Sequence, residues 1–298
     1  MLILNIVPKI ADCDFNNIDN ISLYLLRENK VEIQLLGSDL LKSFSNVVKL
    51  IDNFKHLQYV VLHMPFSMVN ICYVYSNLSK RQEFIKFIVD VIKLSINKDI
   101  EIDILFHVSM RSGEFVSIGG IEFLKYIISL VENTKVGFLL ENSIINLSMD
   151  DKEQDTIVTI FKNIDSEKLN FCLDLCHWQS SEYVWGSSLK LDEVLLNNLK
   201  NVHFSMTLEK DGYKNKARTH GRGHDCMKSC IRDLEYLRKK GIGLEDINLV
   251  TEINEEDYKR RPVMHKELYY LWGIRLKCRK VKGVNFDECR KVKIKRVS

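Results

Sequence analysis

Eight times along the chain, a short run of β-branched and aromatic residues is followed by a segment whose apolar positions recur every three or four residues. The runs cover residues 2–7, 31–36, 59–63, 100–107, 136–141, 170–174, 201–204 and 247–252. Helical patterns cover 18–27, 39–54, 80–96, 121–131, 152–164, 189–199, 227–239 and 264–271, with Phe84, Phe87, Ile88, Val91 and Ile92 showing the spacing. Strands apolar on both faces that alternate with helices predict a parallel sheet covered by helices, and eight such units predict a (β/α)8 barrel. A doubly wound open sheet is the competitor. It wants a glycine-rich turn after an early strand, and Pro8, Lys9, Ile10 and Ala11 supply none. The expected fold is α/β, a single (β/α)8 TIM barrel over residues 1–273 with a short basic C-terminal extension over 274–298.

Composition agrees with a folded chain. Hydrophobic residues make up 46% and charged residues 28% of 298, which argues against disorder. Thirteen glycines and three prolines leave no flexible linker. Apolar runs stay far below the roughly 18 residues a membrane span needs, so no membrane partner is expected. The first residues lack a basic region, a long apolar stretch and a cleavage site, and a cytoplasmic location is expected. The eight cysteines include no Cys-x-x-Cys pair, which favours reduced, mostly buried thiols over a disulfide or zinc-knuckle framework.

The net charge of +3 is unevenly spread. Residues 275–298 hold ten lysines and arginines against Asp287 and Glu288, leaving 33 basic and 38 acidic residues in the remainder. Such a tail fits phosphate backbones and fits a solvated surface ribbon equally well.

The polar residues at the ends of the runs point to chemistry. The third ends in His63, the fourth in His107, the fifth in Glu141 and the sixth in Asp174, with His203 in the seventh and Glu252 closing the eighth. In a barrel the C-terminal strand ends meet at one mouth. Imidazoles and carboxylates gathered there are ligands for Zn, Mn or Fe, whereas carboxylates buried together without cations would be costly. His177 follows Asp174 by three residues and is placed to face the same cavity. The stretch 218–225 carries Arg218, His220, Arg222, His224 and Asp225 among glycines, before a helical pattern. Arg111, Lys216, Arg218 and Arg222 are candidate phosphate contacts, and Trp178, Tyr183, Trp185 and Tyr213 are candidate stacking or wedge residues.

These segments resemble the xylose-isomerase-like barrel superfamily, and within it the endonuclease IV (AP endonuclease family 2) branch, over about residues 1–260. His63 to Asn70 resembles that branch's His-x-Pro-Tyr-x-x-Asn segment, His107 to Gly113 its His-Pro-Gly-Ser stretch, and Leu140, Glu141 and Asn142 its Leu-Glu-Asn. Residues 171–177, Phe-Cys-Leu-Asp-Leu-Cys-His, are close to its Asp-Thr-Cys-His element, the most specific of the matches. His203 and Ser205 resemble the His-x-Asn-Asp strand, and Thr251 and Glu252 a final Glu-Thr in altered order. The resemblance implies that His63, His107 and Glu141 hold one metal. It also implies that Glu141 bridges to a second held by Asp174, His203 and Glu252, and that His177 and His220 serve a third. It further implies two or three divalent ions, zinc first with manganese or iron as alternatives, used to cut DNA 5′ of an abasic site. The chain departs from the pattern at Arg218, which stands where the branch has an Asp ligand, at Ser205, and in a shorter loop after His220.

Three functions follow as expectations. The first is metal-dependent phosphodiester hydrolysis of abasic DNA by activated water, with Glu141, Glu252 and His177 as catalytic residues and DNA as partner. The second is sugar or sugar-phosphate isomerisation or epimerisation at one metal, a small-molecule substrate, with Glu32 as a candidate acid or base. The third is iron-dependent oxidation of a cysteine-containing peptide with a partner protein.

Overall fold

The computed structural model describes residues 5–11, 29–37, 39–65, 68–108, 119–142, 152–175, 177, 191–204, 237–243 and 245–251. Eight parallel strands close on themselves in sequence order: β1 Asn5–Ala11, β2 Lys30–Gln34, β3 Tyr59–His63, β4 Glu101–His107, β5 Val136–Glu141, β6 Leu169–Asp174, β7 Leu199–Phe204 and β8 Asn248–Thr251. Closure is made by β8 pairing with β1 from Asn5↔Asn248 to Pro8↔Thr251. The described helices are α1 Leu40–Asn53, α2 Ile71–Ser76, α3 Leu78–Lys98, α4 Gly120–Val131, α5 Lys152–Asn163 and α6 Glu193–Asn197. The expected (β/α)8 barrel is the fold. No helix of the described residues is long and apolar enough to cross a membrane. The helical patterns over 18–27, 227–236 and 264–271, and the basic extension, lie outside the described residues.

Three details correct the sequence reading. β1 continues through Pro8 and Lys9 to Ala11 rather than stopping at Val7, and the buried cation of Lys9 is met by the Glu32 carboxylate on β2. The pattern over 189–199 divides into α6 and the start of β7. A short helix, α2, precedes α3 without being expected. Asn70 and Asn77 accept hydrogen bonds from Cys72 N and Lys80 N and so cap α2 and α3 in turn.

Alternation along each strand separates two cores. On β3, Val60 and Leu62 join the layer between sheet and helices, which also takes Phe84, Phe87, Ile88 and Val91 from α3 and Ile104, Phe106, Phe138 and Leu140 from the sheet. Tyr59, Val61, Leu105, Leu139 and Cys172 form a second, smaller cluster inside the barrel. Cys72 and Cys172 are buried, and the other six cysteines lie outside the described residues.

Below that ring the barrel is closed by polar groups. Tyr59 donates to Asp103 Oδ2 at 2.6 Å, Lys200 Nζ lies 2.6 Å from the same oxygen, and Asn248 donates to Asn201 at 2.9 Å. Burial, with Asp103 beside it, pushes the Tyr59 hydroxyl well above its ordinary 10.0. Burial would lower the Lys200 ammonium, but the Asp103 and Glu101 carboxylates outweigh it and raise the group above 10.5. Both groups hold their protons more tightly when folded, so their contribution is complete below about pH 10 and is lost as pH rises further. Urea midpoints measured from about pH 8 to about pH 11 are expected to fall above pH 10, and less steeply in Tyr59→Phe.

Candidate metal centre

The last residue of four consecutive strands faces the same end of the barrel. The register pairs Gln34 with His63, His107 with Glu141 and Asp174 with His203, which sets these side chains at neighbouring heights. Asn70, from the expected His-to-Asn segment, bridges to His107, and His107 N donates to Val69 O at 2.7 Å. The loop after β3 thus holds the base of His107 in place.

Glu141 is the centre of the arrangement and is fully buried. Its Oε2 lies 3.1 Å from His107 Nε2 and 3.3 Å from His63 Nε2. Its Oε1 lies 3.4 Å from His203 Nδ1 and 3.5 Å from His177 Nδ1. Each oxygen therefore faces a different pair of imidazoles. Burial would raise the Glu141 carboxyl, but His107 and His203 outweigh it and hold it well below the usual carboxylate range. For His63, burial and the charge of Lys9 outweigh Glu141 and Glu32 and lower the imidazole, favouring its neutral form. His63 Nδ1 lies 3.1 Å from Met64 O, an acceptor, so Nδ1 carries the hydrogen and Nε2 presents its lone pair toward Glu141.

Asp174 and His177 are held by one residue. Asn142 Oδ1 accepts from Asp174 N at 2.8 Å, and Asn142 Nδ2 donates to Asp174 O at 3.0 Å. Asn142 O lies 2.7 Å from His177 Nδ1, and His177 N donates to Asp174 Oδ1 at 2.8 Å. Since a carbonyl only accepts, His177 Nδ1 is a donor here and Nε2 is its acceptor nitrogen. Asn142 appears in the sequence as the third residue of the Leu-Glu-Asn match, but its clamp across two strands is not visible there.

A further layer lies beneath. Lys9 Nζ is 2.9 Å from Glu32 Oε1, and Glu32 Oε2 is 3.0 Å from His203 Nε2, with all three side chains at 0% exposure. Burial would raise the Glu32 carboxyl, but His203 and Lys9 outweigh it and lower it. The thiol of Cys172, one pleat below Asp174, is pushed up to about 12, mainly by burial.

These residues fit a divalent cation. Glu32, Glu141 and Asp174 are three buried carboxylates, and among the described residues Lys9 is the only fully buried lysine or arginine. Glu141 Oε1 has no hydrogen-bond partner among the described residues, a costly state for a buried carboxylate that a bound cation would relieve. Three groups bring ligand atoms within 4.8 Å of one another, namely His63 with His107 and Glu141, Glu141 with Cys172 and His203, and Glu141 with Asp174 and His177. Of the expected site residues, His63, His107, Glu141, Asp174, His177 and His203 are brought together. Glu252, His220, Arg111, Trp178, Lys216, Arg218 and Arg222 lie outside the described residues, as do Tyr183, Trp185, Tyr213, His224 and Asp225. Lys9 and Cys172 stand at this centre without being among the expected site residues. A lysine in an apolar run and a cysteine two residues before the strand-end Asp174 were the signals available.

Solved structures share this architecture along almost their whole length. A xylose isomerase domain protein from Planctomyces limnophilus is 12% identical, with a TM-score of 0.60 over 94% of this chain and 100% of its own. The chain has the xylose-isomerase-like barrel fold. A D-tagatose 3-epimerase-like protein shares that xylose-isomerase-like barrel at 18% identity and a TM-score of 0.57, covering 91% of this chain and 99% of its own. A protein from Thermus thermophilus whose crystals were soaked with ZnCl2 shares it at 14% identity and a TM-score of 0.53, over 89% and 99% of the two chains. No family model matches the sequence, and no curated protein matches it.

Proposed function

We propose that this xylose-isomerase-like barrel is a metal-dependent phosphodiester hydrolase acting on DNA at abasic sites, with a centre of two or more divalent ions that share Glu141. The observation that carries this reading is the division of Glu141, whose Oε2 faces His63 and His107 while Oε1 faces His203 and His177. A carboxylate with His63 and His107 at one oxygen and His203 at the other suits a bridge between two ions, and an isomerase centre with one ion has no need of both His63 and His107 as ligands. His63, His107 and Glu141 would hold one ion, and Glu141, Asp174 and His203 a second. Bound there, divalent cations supply Lewis acidity toward a phosphoryl oxygen and a lowered pKa for water.

The remaining contributions come from the chain itself. Burial and the charge of Lys9 favour the neutral form of His63, and its Nδ1 lies against Met64 O, which turns Nε2 toward Glu141. Asn142 fixes the Asp174 backbone and the His177 ring through hydrogen bonds from one residue, which removes rotational freedom before any substrate arrives. Val61, Leu105, Leu139 and Cys172 form an apolar floor that excludes water from below. Glu252 and His177 are proposed to complete the catalytic set, and Arg111, Trp178, Lys216, Arg218 and Arg222 to contact the nucleic acid. Zinc suits the imidazole and carboxylate donors, with manganese or iron as alternatives.

The test combines a metal count with a substrate panel. The full chain, loaded separately with zinc, manganese and iron, is expected to hold at least two ions and to nick a duplex carrying an abasic site but not the intact duplex. One ion per chain together with interconversion of ketose epimers would assign the site to sugar chemistry, which the likeness to the D-tagatose 3-epimerase-like protein also suits. Iron with dioxygen uptake on a cysteine peptide would assign it to oxidation.

A further inference from the structure

The buried charges beneath the centre are not used by the chemistry above. We infer that the Lys9–Glu32 pair is a positioning device that fixes His203 as a metal ligand through Nδ1, an inference that rests on the metal-centre reading. A neutral imidazole carries one hydrogen, and whichever nitrogen holds it cannot ligate. Glu32 is an acceptor when ionised, and its Oε2 lies 3.0 Å from His203 Nε2. The hydrogen therefore belongs on Nε2. Lys9 Nζ lies 2.9 Å from Glu32 Oε1 and holds the carboxylate in place against His203, with no exposure to water. The nitrogen left with a lone pair is Nδ1, and it faces Glu141 Oε1 at 3.4 Å.

His203 thereby differs from its neighbour. His63 has its hydrogen fixed on Nδ1 by Met64 O and turns Nε2 toward Glu141, whereas His203 has the reverse assignment. An ion held through Nδ1 would have Cys172 as a neighbour, because Glu141, Cys172 and His203 bring ligand atoms within 4.8 Å of one another. An outer carboxylate of this kind orients the ring and raises its basicity, and its loss typically costs roughly 10- to 100-fold in metal affinity.

Glu32→Gln provides the test, because the charge of Lys9 will attract the new amide oxygen. The amide NH2 then faces His203 Nε2 and moves the ring hydrogen to Nδ1. In the metal-free full chain, long-range proton–nitrogen spectra of 15N-histidine at about pH 8, assigned by comparison with His203→Asn, are expected to show His203 protonated on Nε2 in the natural protein and on Nδ1 in Glu32→Gln. Cobalt(II) titration is expected to show affinity weakened roughly 10- to 100-fold in Glu32→Gln. The double variant Lys9→Met with Glu32→Leu removes the pair without leaving a buried charge, and it is expected to fold and to show the same loss. His203 protonated on Nδ1 in the natural protein, or unchanged cobalt affinity in both variants, would overturn the inference while leaving the metal centre standing. A natural protein that binds no cobalt would overturn the metal-centre reading itself, and the ligand role of His203 with it.

Discussion

Glu141→Gln is expected to lower kcat/KM by about 10³-fold or more, equivalent to about 4 kcal/mol of transition-state stabilisation, and to reduce the metal content of the purified protein. The reason is the shared position of this side chain. His63 and His107 approach one carboxylate oxygen and His203 and His177 the other. The amide keeps the shape, but it carries no charge and replaces one acceptor oxygen with a donor NH2. One of the two imidazole pairs must then face a donor, whichever way the amide is turned. His63→Ala removes one imidazole from one side and is expected to cost less, leaving the ligands around Oε1 in place. Elemental analysis beside steady-state kinetics separates the two variants. Full activity with full metal content in Glu141→Gln would refute the bridging role.

Gly137→Ala carries the second large effect, and it acts on stability. Gly137 sits in β5, where a β-branched residue would ordinarily be favoured. A Cβ added there would lie 2.5 Å from Asp103 Oδ1 and 3.3 Å from the Lys168 backbone oxygen. The Asp103 carboxylate cannot retreat without leaving Tyr59 and Lys200, each 2.6 Å from its Oδ2. Overpacking of this kind costs about 1–3 kcal/mol, and disturbing a buried ion pair adds to it. A loss of about 3 kcal/mol in urea unfolding is expected, with metal affinity retained because the four strand-end ligands stand elsewhere. An unchanged urea midpoint would show that the lower end of the barrel tolerates the methyl group by shifting.

The strand-end ligands were legible because each closes an apolar run. His63, His107, Glu141 and Asp174 are the final residues of β3, β4, β5 and β6. A polar residue ending a buried run, repeated on successive strands, has one simple destination in a barrel. Lys9 was not legible for the opposite reason. Its partner Glu32 lies on another strand, and the pairing that makes a buried lysine acceptable exists only after β1 and β2 are in register at Lys9↔Glu32. The boundary after 189–199 failed because Leu195, Leu196 and Leu199 satisfy a helical spacing even though Leu199 opens a strand. The hydrogen positions on His63, His177 and His203 depend on Met64 O, Asn142 O and Glu32, and two of those three acceptors are backbone atoms that no residue type announces.

Tyr59 and His63 mark the two ends of one strand, four residues and about 13 Å apart, with the ring of Val61, Leu105 and Leu139 between them. Damage at the foot of the barrel and damage at its head should therefore sum in a doubly altered chain, with little cross-talk. Selection can then retune reactivity at one end without renegotiating the integrity secured at the other.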